Sequence, residues 1–209
     1  MDSYVTPRVE HQLFQREALS SSDLHSLWRL ESGALRVDSQ GEDGHSEFVR
    51  LALPGDLLGV ENLAGVTDKI TVRAITPARL RPVDLVDKNH LTQILMETLS
   101  RVHQRCREVA SLRTGSTTVR LQRLLRMLSG QNGAGEQTVC ALPTLSDMAT
   151  IINAAPETVC RVMTNLREIE VLKERDPEHS KHCRLESREH QVKTRIPARV
   201  PALRTRMAG

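Results

Sequence analysis

The pattern of hydrophobic and polar positions changes its period once along the chain, near residue 87. Before that point, short runs of apolar and β-branched residues are separated by turn residues, which predicts β-strands. The clearest runs are Leu27–Leu30, Ala34–Val37, Phe48–Leu53 and Ile70–Ile75. The first two flank Glu31-Ser32-Gly33, which predicts a hairpin. Strands at this spacing predict a small barrel or β-roll over residues 1–86.

A long helix is predicted over residues 87–113, with Asp87 as its N-cap. Five apolar positions on it follow the a and d spacing of a heptad repeat: Leu95, Leu99, Val102, Cys106 and Val109. Two interpretations of this stripe stay open, because two heptads make a short seam. It packs on the chain's own β-roll, or it packs on a second copy of the helix. The second is favoured, since a long helix after a β-roll has no other obvious partner.

The remaining chain predicts a second apolar helix after Thr114-Gly115-Ser116, then a strand over Thr138–Leu142. A pair of short helices follows. The first begins near Thr144 or Ser146, and Asn153-Ala154-Ala155 forms the turn after it, where Asn tolerates a left-handed backbone. Pro156 suits the first position of the next helix. Two helices joined by a three-residue turn are typical of a helix-turn-helix.

Two short runs after the helix pair, Val171-Leu172 and Cys183-Arg184-Leu185, are expected to form a wing around a turn at Asp176-Pro177. Residues 191–209 have no hydrophobic period and are expected to be a disordered basic tail. The predicted fold class is therefore α+β. Its domains are a β-roll (1–86), a long helix (87–113), a winged helix-turn-helix (114–190) and the tail (191–209).

Composition changes this picture in two ways. The 209 residues include four aromatic ones, Tyr4, Phe14, Trp28 and Phe48, which argues against a single-strand binder built on base stacking. The net charge of +3 hides an uneven distribution, because residues 1–110 carry −3 and residues 111–209 carry +6. A basic C-terminal half joined to an acidic half indicates contact with nucleic acid.

Several classes of protein are excluded by what the sequence lacks. No apolar run approaches the roughly 18–20 residues of a membrane span, and no secretory signal is visible. The cysteines form no CxxC pair and are expected to be reduced thiols in the cytoplasm. The sequence has no Ser-His-Asp order, phosphate-binding loop or metal motif, so an enzyme is not expected. No membrane partner is expected either.

The outer face of the second short helix carries Glu157, Thr158, Cys160 and Arg161. Glu157 and Arg161 are four residues apart and share one face near the helix N-terminus, the end that enters the major groove in helix-turn-helix proteins. Arginine bonds guanine O6 and N7, and glutamate accepts from the cytosine amine. The alternative is a solvated ion pair between the two. The turn and wing favour base contacts.

Two segments resemble the CRP/FNR superfamily of bacterial transcription regulators, and the resemblance spans roughly residues 12–186. Leu53–Asn62 resembles the family's G-D-x-x-G segment and is closest to the FNR side. Thr144–Leu172, centred on Pro156–Arg161, resembles its E-T-[IV]-x-R recognition helix. The resemblance implies a homodimer that binds palindromic promoter DNA, with RNA polymerase as a further partner. It implies that Glu157 and Arg161 read bases and that Cys160 faces DNA, whereas Pro156 replaces a residue that contacts phosphate in some members. The full set of predicted DNA contacts is Thr144, Ser146, Pro156, Glu157, Thr158, Cys160 and Arg161.

Departures from the family pattern indicate which effectors the β-roll is not expected to bind. Cyclic-nucleotide-binding members follow the second glycine with Glu, whereas Val60 follows Gly59 here, and Asp68-Lys69 stands at their Arg-Ser position. We therefore expect no cAMP binding. The N-terminal cysteine group of oxygen-sensing members is absent, so no iron–sulfur cluster is expected. The leading helix and first strand have no counterpart before Tyr4, which indicates a shortened β-roll. The effector stays unknown, and a regulator with a degenerate β-roll that binds none is the alternative.

Thiol chemistry is one candidate signal. Cys106 falls on the seam and Cys160 near Arg161, where a cation favours thiolate, so both are redox candidates. The alternative is that Cys106 is a small apolar core residue and Cys160 a small residue at the DNA groove. His179–Cys183 holds three side chains that bind metals, but its place in the wing favours a solvated loop. His90 and His103 have no local signature for haem.

Overall fold

A computed structural model describes residues 10–41, 43–63, 65, 69–85, 87–129, 139–168, 172–174 and 182–185. Its strands are β1 (His11–Leu13), β2 (Trp28–Ser32), β3 (Leu35–Gln40), β4 (Ser46–Ala52), β5 (Leu57–Leu58), β6 (Ile70–Ala74), β7 (Ala78–Pro82), β8 (Val139–Ala141), β9 (Leu172–Glu174) and β10 (His182–Leu185). Its helices are α1 (Val60–Leu63), α2 (Lys88–Leu112), α3 (Thr117–Ser129), α4 (Leu145–Ile152) and α5 (Pro156–Glu168). Tyr4, Asp68, the turn at Asp176-Pro177, His179 and the tail at 191–209 lie outside the described residues.

The first seven strands form two antiparallel sheets, in the orders β1-β7-β2-β5 and β4-β3-β6. Alternate side chains of both sheets point into one apolar interior, which explains the alternating sequence pattern. Its fully buried members include Leu30, Leu35, Ala74 and Leu80. The predicted β-roll is therefore present, and the α+β class is confirmed.

The predicted hairpin between Leu27–Leu30 and Ala34–Val37 is wrong. β2 pairs with β5 and β7, whereas β3 pairs with β4 and β6, so the two strands lie in different sheets. Gly33 turns the chain between them with φ +86°, and a Cβ there would lie 2.2 Å from the carbonyl oxygen of Pro77. The three residues Glu31-Ser32-Gly33 thus make a corner between sheets instead of a turn within one.

Helix α2 begins and ends where its sequence predicts. The Asp87 side chain accepts a hydrogen bond from the backbone N–H of His90 at 2.7 Å, which caps the helix. One face packs on the roll through Ile94, Arg105 and Leu112. Arg105 donates to the buried Asp56 carboxylate at 2.7 and 3.2 Å. The aspartate of the G-D-x-x-G segment therefore fixes α2 to the roll.

The C-terminal helices share a core with the outer face of the β4-β3-β6 sheet. From the sheet side come Ala34, Leu51 and neighbouring apolar residues, and from the helix side Leu121, Leu124, Leu125, Ile151, Ile152, Val159 and Leu166. Because this cluster is continuous, the roll and the helix pair pack directly on each other. Beyond α5, β10 pairs with both β8 and β9 in an antiparallel sheet, with Cys183 opposite Cys140.

Candidate nucleic-acid interface

The turn between α4 and α5 is built by three local signals of the sequence. Thr144 caps α4, since its hydroxyl accepts from the backbone N–H of Asp147 at 3.1 Å. Asn153 ends α4 in the left-handed region, with φ 52° and ψ 63°. Pro156 is the first residue of α5, where its missing N–H costs no hydrogen bond. The predicted turn and both helix starts are found in the structure.

Helix α5 presents two distinct faces. The inner face is buried and consists of the four predicted residues, Val159, Val162, Met163 and Leu166. Glu157, Cys160 and Arg161 are exposed on the other side, and Thr158 is half-buried. Within the described part of the chain neither Glu157 nor Arg161 forms an ion pair. The Glu157–Arg161 ion pair, which was the alternative to base contacts, is therefore not formed. Both side chains extend toward solvent.

The predicted contact residues at the start of α4 differ in what their side chains do. Ser146 is exposed. The Thr144 hydroxyl is already engaged twice, because it also donates to the Asp147 carboxylate at 2.8 Å. A phosphate contact from Thr144 would therefore compete with the helix cap.

Asp147 has a role that the sequence did not reveal. It is 3% exposed, forms an ion pair with Arg73 of β6, and lies 3.6 Å from the guanidinium of Arg36 of β3. Burial raises the pKa of its carboxyl, but hydrogen bonds from Arg73 and Thr144 and the charges of Arg73 and Arg36 outweigh it and leave the pKa lowered. Its place in a first helical turn pointed only to the helix dipole.

Two clefts lie beside α4. One, of about 680 Å³, separates β4 from the turn of the helix pair and is lined by Glu47, Phe48, Arg113, Ser146, Asn153 and Pro156. We call it the β4 cleft. The guanidinium groups of Arg36 and Arg113 each lie 5.8 Å from the Phe48 ring centroid. The other, the β1 cleft, has about 730 Å³ and is lined by Phe14, Arg16, Thr144, Leu145, Cys160 and Arg167.

The apolar stripe of α2 is only partly covered by the residues that the structure describes. Leu95 is 42% exposed, Leu99 is 65% exposed, and Met96 beside them is 64% exposed. Val102 and Val109 are half-buried and Cys106 is exposed. The face of α2 that packs on the roll carries Ile94, Arg105 and Leu112, which argues against the interpretation that the whole stripe packs on its own β-roll. Packing on a second copy of the helix stays a prediction.

Both redox candidates are accessible. Cys106 and Cys160 are free thiols with exposed side chains, so Cys106 is not the small core residue of the alternative interpretation. The exposure of Cys160 fits both a redox-active thiol and a small groove residue. Redox control through them stays a prediction.

Arg50 of β4 is a buried charged residue of the roll and already has a partner. Arg50 is 7% exposed and donates to the Glu61 carboxylate at 2.8 Å. Glu61 is thus a partner of Arg50, which gives the glutamate one residue after Val60 a role in the fold. Asp68 lies outside the described residues, and the expectation that cAMP does not bind stays a prediction.

Comparison with known proteins shows which proteins this chain resembles in sequence and in structure. No family model matches the chain. The transcriptional regulator LdrP of Thermus thermophilus is 27% identical over 153 residues, covering 71% of this chain and 78% of that protein. A CRP-family transcriptional regulator of Thermus thermophilus superposes with a TM-score of 0.63 at 25% identity, covering 84% of this chain and 91% of that one.

A further solved structure, a CRP/FNR-family regulator also from Thermus thermophilus, superposes with a TM-score of 0.56 at 20% identity and covers 85% of this chain and 93% of that one. The chain is therefore similar in sequence and in fold to transcription regulators of the CRP/FNR family. The proteins that the chain resembles are transcription regulators and not enzymes, in agreement with the expectation from the sequence. None of its helices within the described residues is both long and apolar enough to cross a bilayer.

Proposed function

We propose that this CRP/FNR regulator binds promoter DNA as a homodimer, with α4 and α5 as a helix-turn-helix and β8–β10 as its wing. The observation that carries the proposal is the exposed first half of α5, where Glu157 and Arg161 share one face and are free of ion pairs within the described residues. In a helix-turn-helix this end of the second helix meets base edges in the major groove. A homodimer would read a palindrome, one half-site per subunit.

Each of the two side chains has a chemical role in this proposal. The Arg161 guanidinium would bond guanine O6 and N7 together, and the Glu157 carboxylate would accept from a cytosine amine. Pro156, Thr158 and Cys160 would border them at the groove. Ser146 would contact phosphate at the start of α4, and Thr144 would do so only by sharing its hydroxyl with the helix cap.

The second subunit would pack on the stripe of α2, defined by Leu95, Leu99, Val102, Cys106 and Val109. Two such helices side by side would bury side chains that this chain leaves exposed, which favours association through the hydrophobic effect. We place the domain boundaries at residues 86, 113 and 190, as the sequence predicts. Regulation at promoters makes RNA polymerase the expected protein partner.

The proposal is tested by selecting bound duplexes from a random pool and then comparing Arg161→Ala with the wild type. The variant is expected to lose about 1–3 kcal/mol of binding free energy per half-site and to relax the preference at one base pair. Arg107→Ala, on the exposed side of α2, is the control and should keep the wild-type preference. Equal binding of all sequences by the wild type would contradict the proposal.

A second possibility is a regulator that binds DNA without an effector. The interior of the roll favours it, because apolar side chains pack there and the buried Arg50 already has Glu61 as a partner. This possibility is tested by measuring thermal stability and DNA affinity with and without candidate effectors. No shift in either quantity is expected if the roll has become purely structural.

A further inference from the structure

Arg16 stands in an unusual backbone conformation at the turn after β1. Its φ is +78°, in the left-handed region, which costs a residue other than glycine about 1–2 kcal/mol. The turn is held by two backbone bonds to β6. The N–H of Arg16 donates to the carbonyl of Ala74 at 2.7 Å, and the N–H of Ala74 donates to the carbonyl of Glu17 at 2.8 Å. The exposed Arg16 side chain is thus carried on a fixed backbone.

This turn is also tied to the segment that leads into α4. The side-chain amide of Gln15 donates to the carbonyl of Ile75 at 2.9 Å and to the carbonyl of Leu142 at 3.0 Å. Leu142 is two residues before Thr144, the cap of α4. The position of Arg16 relative to the helix pair is therefore set by hydrogen bonds from its neighbour.

The β1 cleft shows what Arg16 faces. Phe14 and Arg16 line one side, and Thr144, Leu145 and Cys160 line the other, at the start of α4 and on the exposed face of α5. Among the residues that the structure describes, Arg16 forms no ion pair. The nearby acids are engaged elsewhere, since Glu17 accepts from the backbone of Phe14 at 2.8 Å and Asp147 is bound by Arg73.

We infer that Arg16 binds a DNA phosphate beside each half-site, so that the β-roll itself contributes to the DNA-binding surface. This inference rests on the proposed function. An exposed guanidinium that has no ion pair among the described residues, and that lies beside the proposed recognition helix, is complementary in charge to the nucleic-acid backbone. Phosphate contacts position a protein on the duplex without reading its sequence, so Arg16 adds affinity and no base preference.

The deciding variant is Arg16→Gly, because it should lower DNA affinity without lowering the stability of the fold. Glycine adopts φ +78° without strain, so thermal stability should stay the same or rise. Loss of one phosphate contact per subunit should lower the slope of log affinity against log salt by about 0.9, which is about an eightfold loss of affinity per subunit at 0.1 M salt. The base preference selected from a random pool should not change, in contrast to Arg161→Ala.

Two further variants serve as controls in the same salt titration. Arg16→Lys keeps the charge and should keep the salt slope. Arg79→Ala removes an exposed arginine of β7 outside the β1 cleft and should leave affinity unchanged. Wild-type affinity and slope in Arg16→Gly would overturn the inference and leave the proposed function standing. Failure of the wild type to prefer any DNA sequence would overturn the proposed function, and failure to bind any duplex would overturn both.

Discussion

Asp147 forms an ion pair with Arg73 across the contact between the helix pair and the β-roll. Asp147 lies in the first turn of α4, whereas Arg73 belongs to β6, 74 residues earlier. Arg36 of β3 lies 3.6 Å from the same carboxylate and also bonds Asp38 at 2.6 Å. The orientation of α4, and through it that of α5, is therefore tied to two adjacent strands of the roll.

The first prediction concerns this ion pair. Asp147→Asn keeps the shape of the side chain but leaves Arg36, which is itself buried, and Arg73 without their shared counter-charge. Breaking a buried ion pair on one side is strongly unfavourable, and we expect a loss of about 3 kcal/mol in the free energy of unfolding. Equilibrium urea unfolding measures it. Asp43→Asn, at an exposed acid of the β3–β4 turn, should change the midpoint little, and equal midpoints for both variants would contradict the role of Asp147.

A second prediction concerns pH. The hydrogen bond from Arg29 lowers the pKa of Glu97 to about 2; burial opposes this shift, while the charges of Arg29 and Arg101 add to it. The pKa in the folded state is below the ordinary value of 4.5, so the stabilisation is complete above pH 4.5 and is lost as pH falls toward 2. The lowered pKa of Asp147 acts in the same direction.

Urea midpoints between about pH 2.5 and 6 test this second prediction, because that window spans the folded and ordinary pKa values of the glutamate. Glu97→Gln should be less stable than the wild type at the upper end of this range, and its stability should fall less steeply as the pH is lowered. Glu47→Gln removes an exposed carboxylate of β4 and should follow the wild-type curve. Parallel curves for Glu97→Gln and the wild type would show that the Arg29–Glu97 contact does not couple stability to protonation.

The elements that the sequence predicts well are those set by local chemistry. Asp87, Thr144, Asn153 and Pro156 mark helix ends because capping and backbone preferences act within about four residues. The sequence does not predict strands β1, β5 and β7, since β1 and β5 have three and two residues and β7 buries only two apolar side chains, Ala78 and Leu80. Strand pairing and the Asp147–Arg73 contact depend on residues far apart in the sequence, so a local pattern does not reveal them.

In the candidate site, too, the sequence predicts the residues that local structure determines and does not predict those that the tertiary fold brings together. Glu157, Cys160 and Arg161 were placed correctly on the outer face of α5 because helical periodicity settles which residues point away from the core. Arg16 carries no local signal, because the β1 turn comes to lie beside α4 only in the folded chain.

A third prediction concerns the second glycine of the G-D-x-x-G segment, Gly59. Gly59 has φ +84°, and a Cβ there would lie 2.2 Å from the carbonyl oxygen of Ser26. Gly44 has a similar φ of +80° with no atom within 4 Å of that position, so it separates backbone strain from the clash. We expect Gly44→Ala to cost about 1 kcal/mol and Gly59→Ala about 3 kcal/mol or more of unfolding free energy. Equal losses in urea unfolding would mean that Ser26 moves aside freely.

The last prediction tests the α2 stripe as a subunit interface. Leu99 is 65% exposed in the single chain, so Leu99→Glu should not lower the stability of the monomer. In a dimer the change removes two apolar side chains from the seam and brings two carboxylates close together. At about 1.5–3 kcal/mol for each buried leucine, the dimer dissociation constant should rise at least about 100-fold, as sedimentation equilibrium would measure. Gln93→Glu adds the same charge on an exposed part of α2 outside the stripe and should leave the dissociation constant unchanged. A wild type that stays monomeric at about 100 μM, where even a weak dimer would form, would contradict the homodimer. A Leu99→Glu variant that dimerises as tightly as the wild type would show that another surface forms the interface.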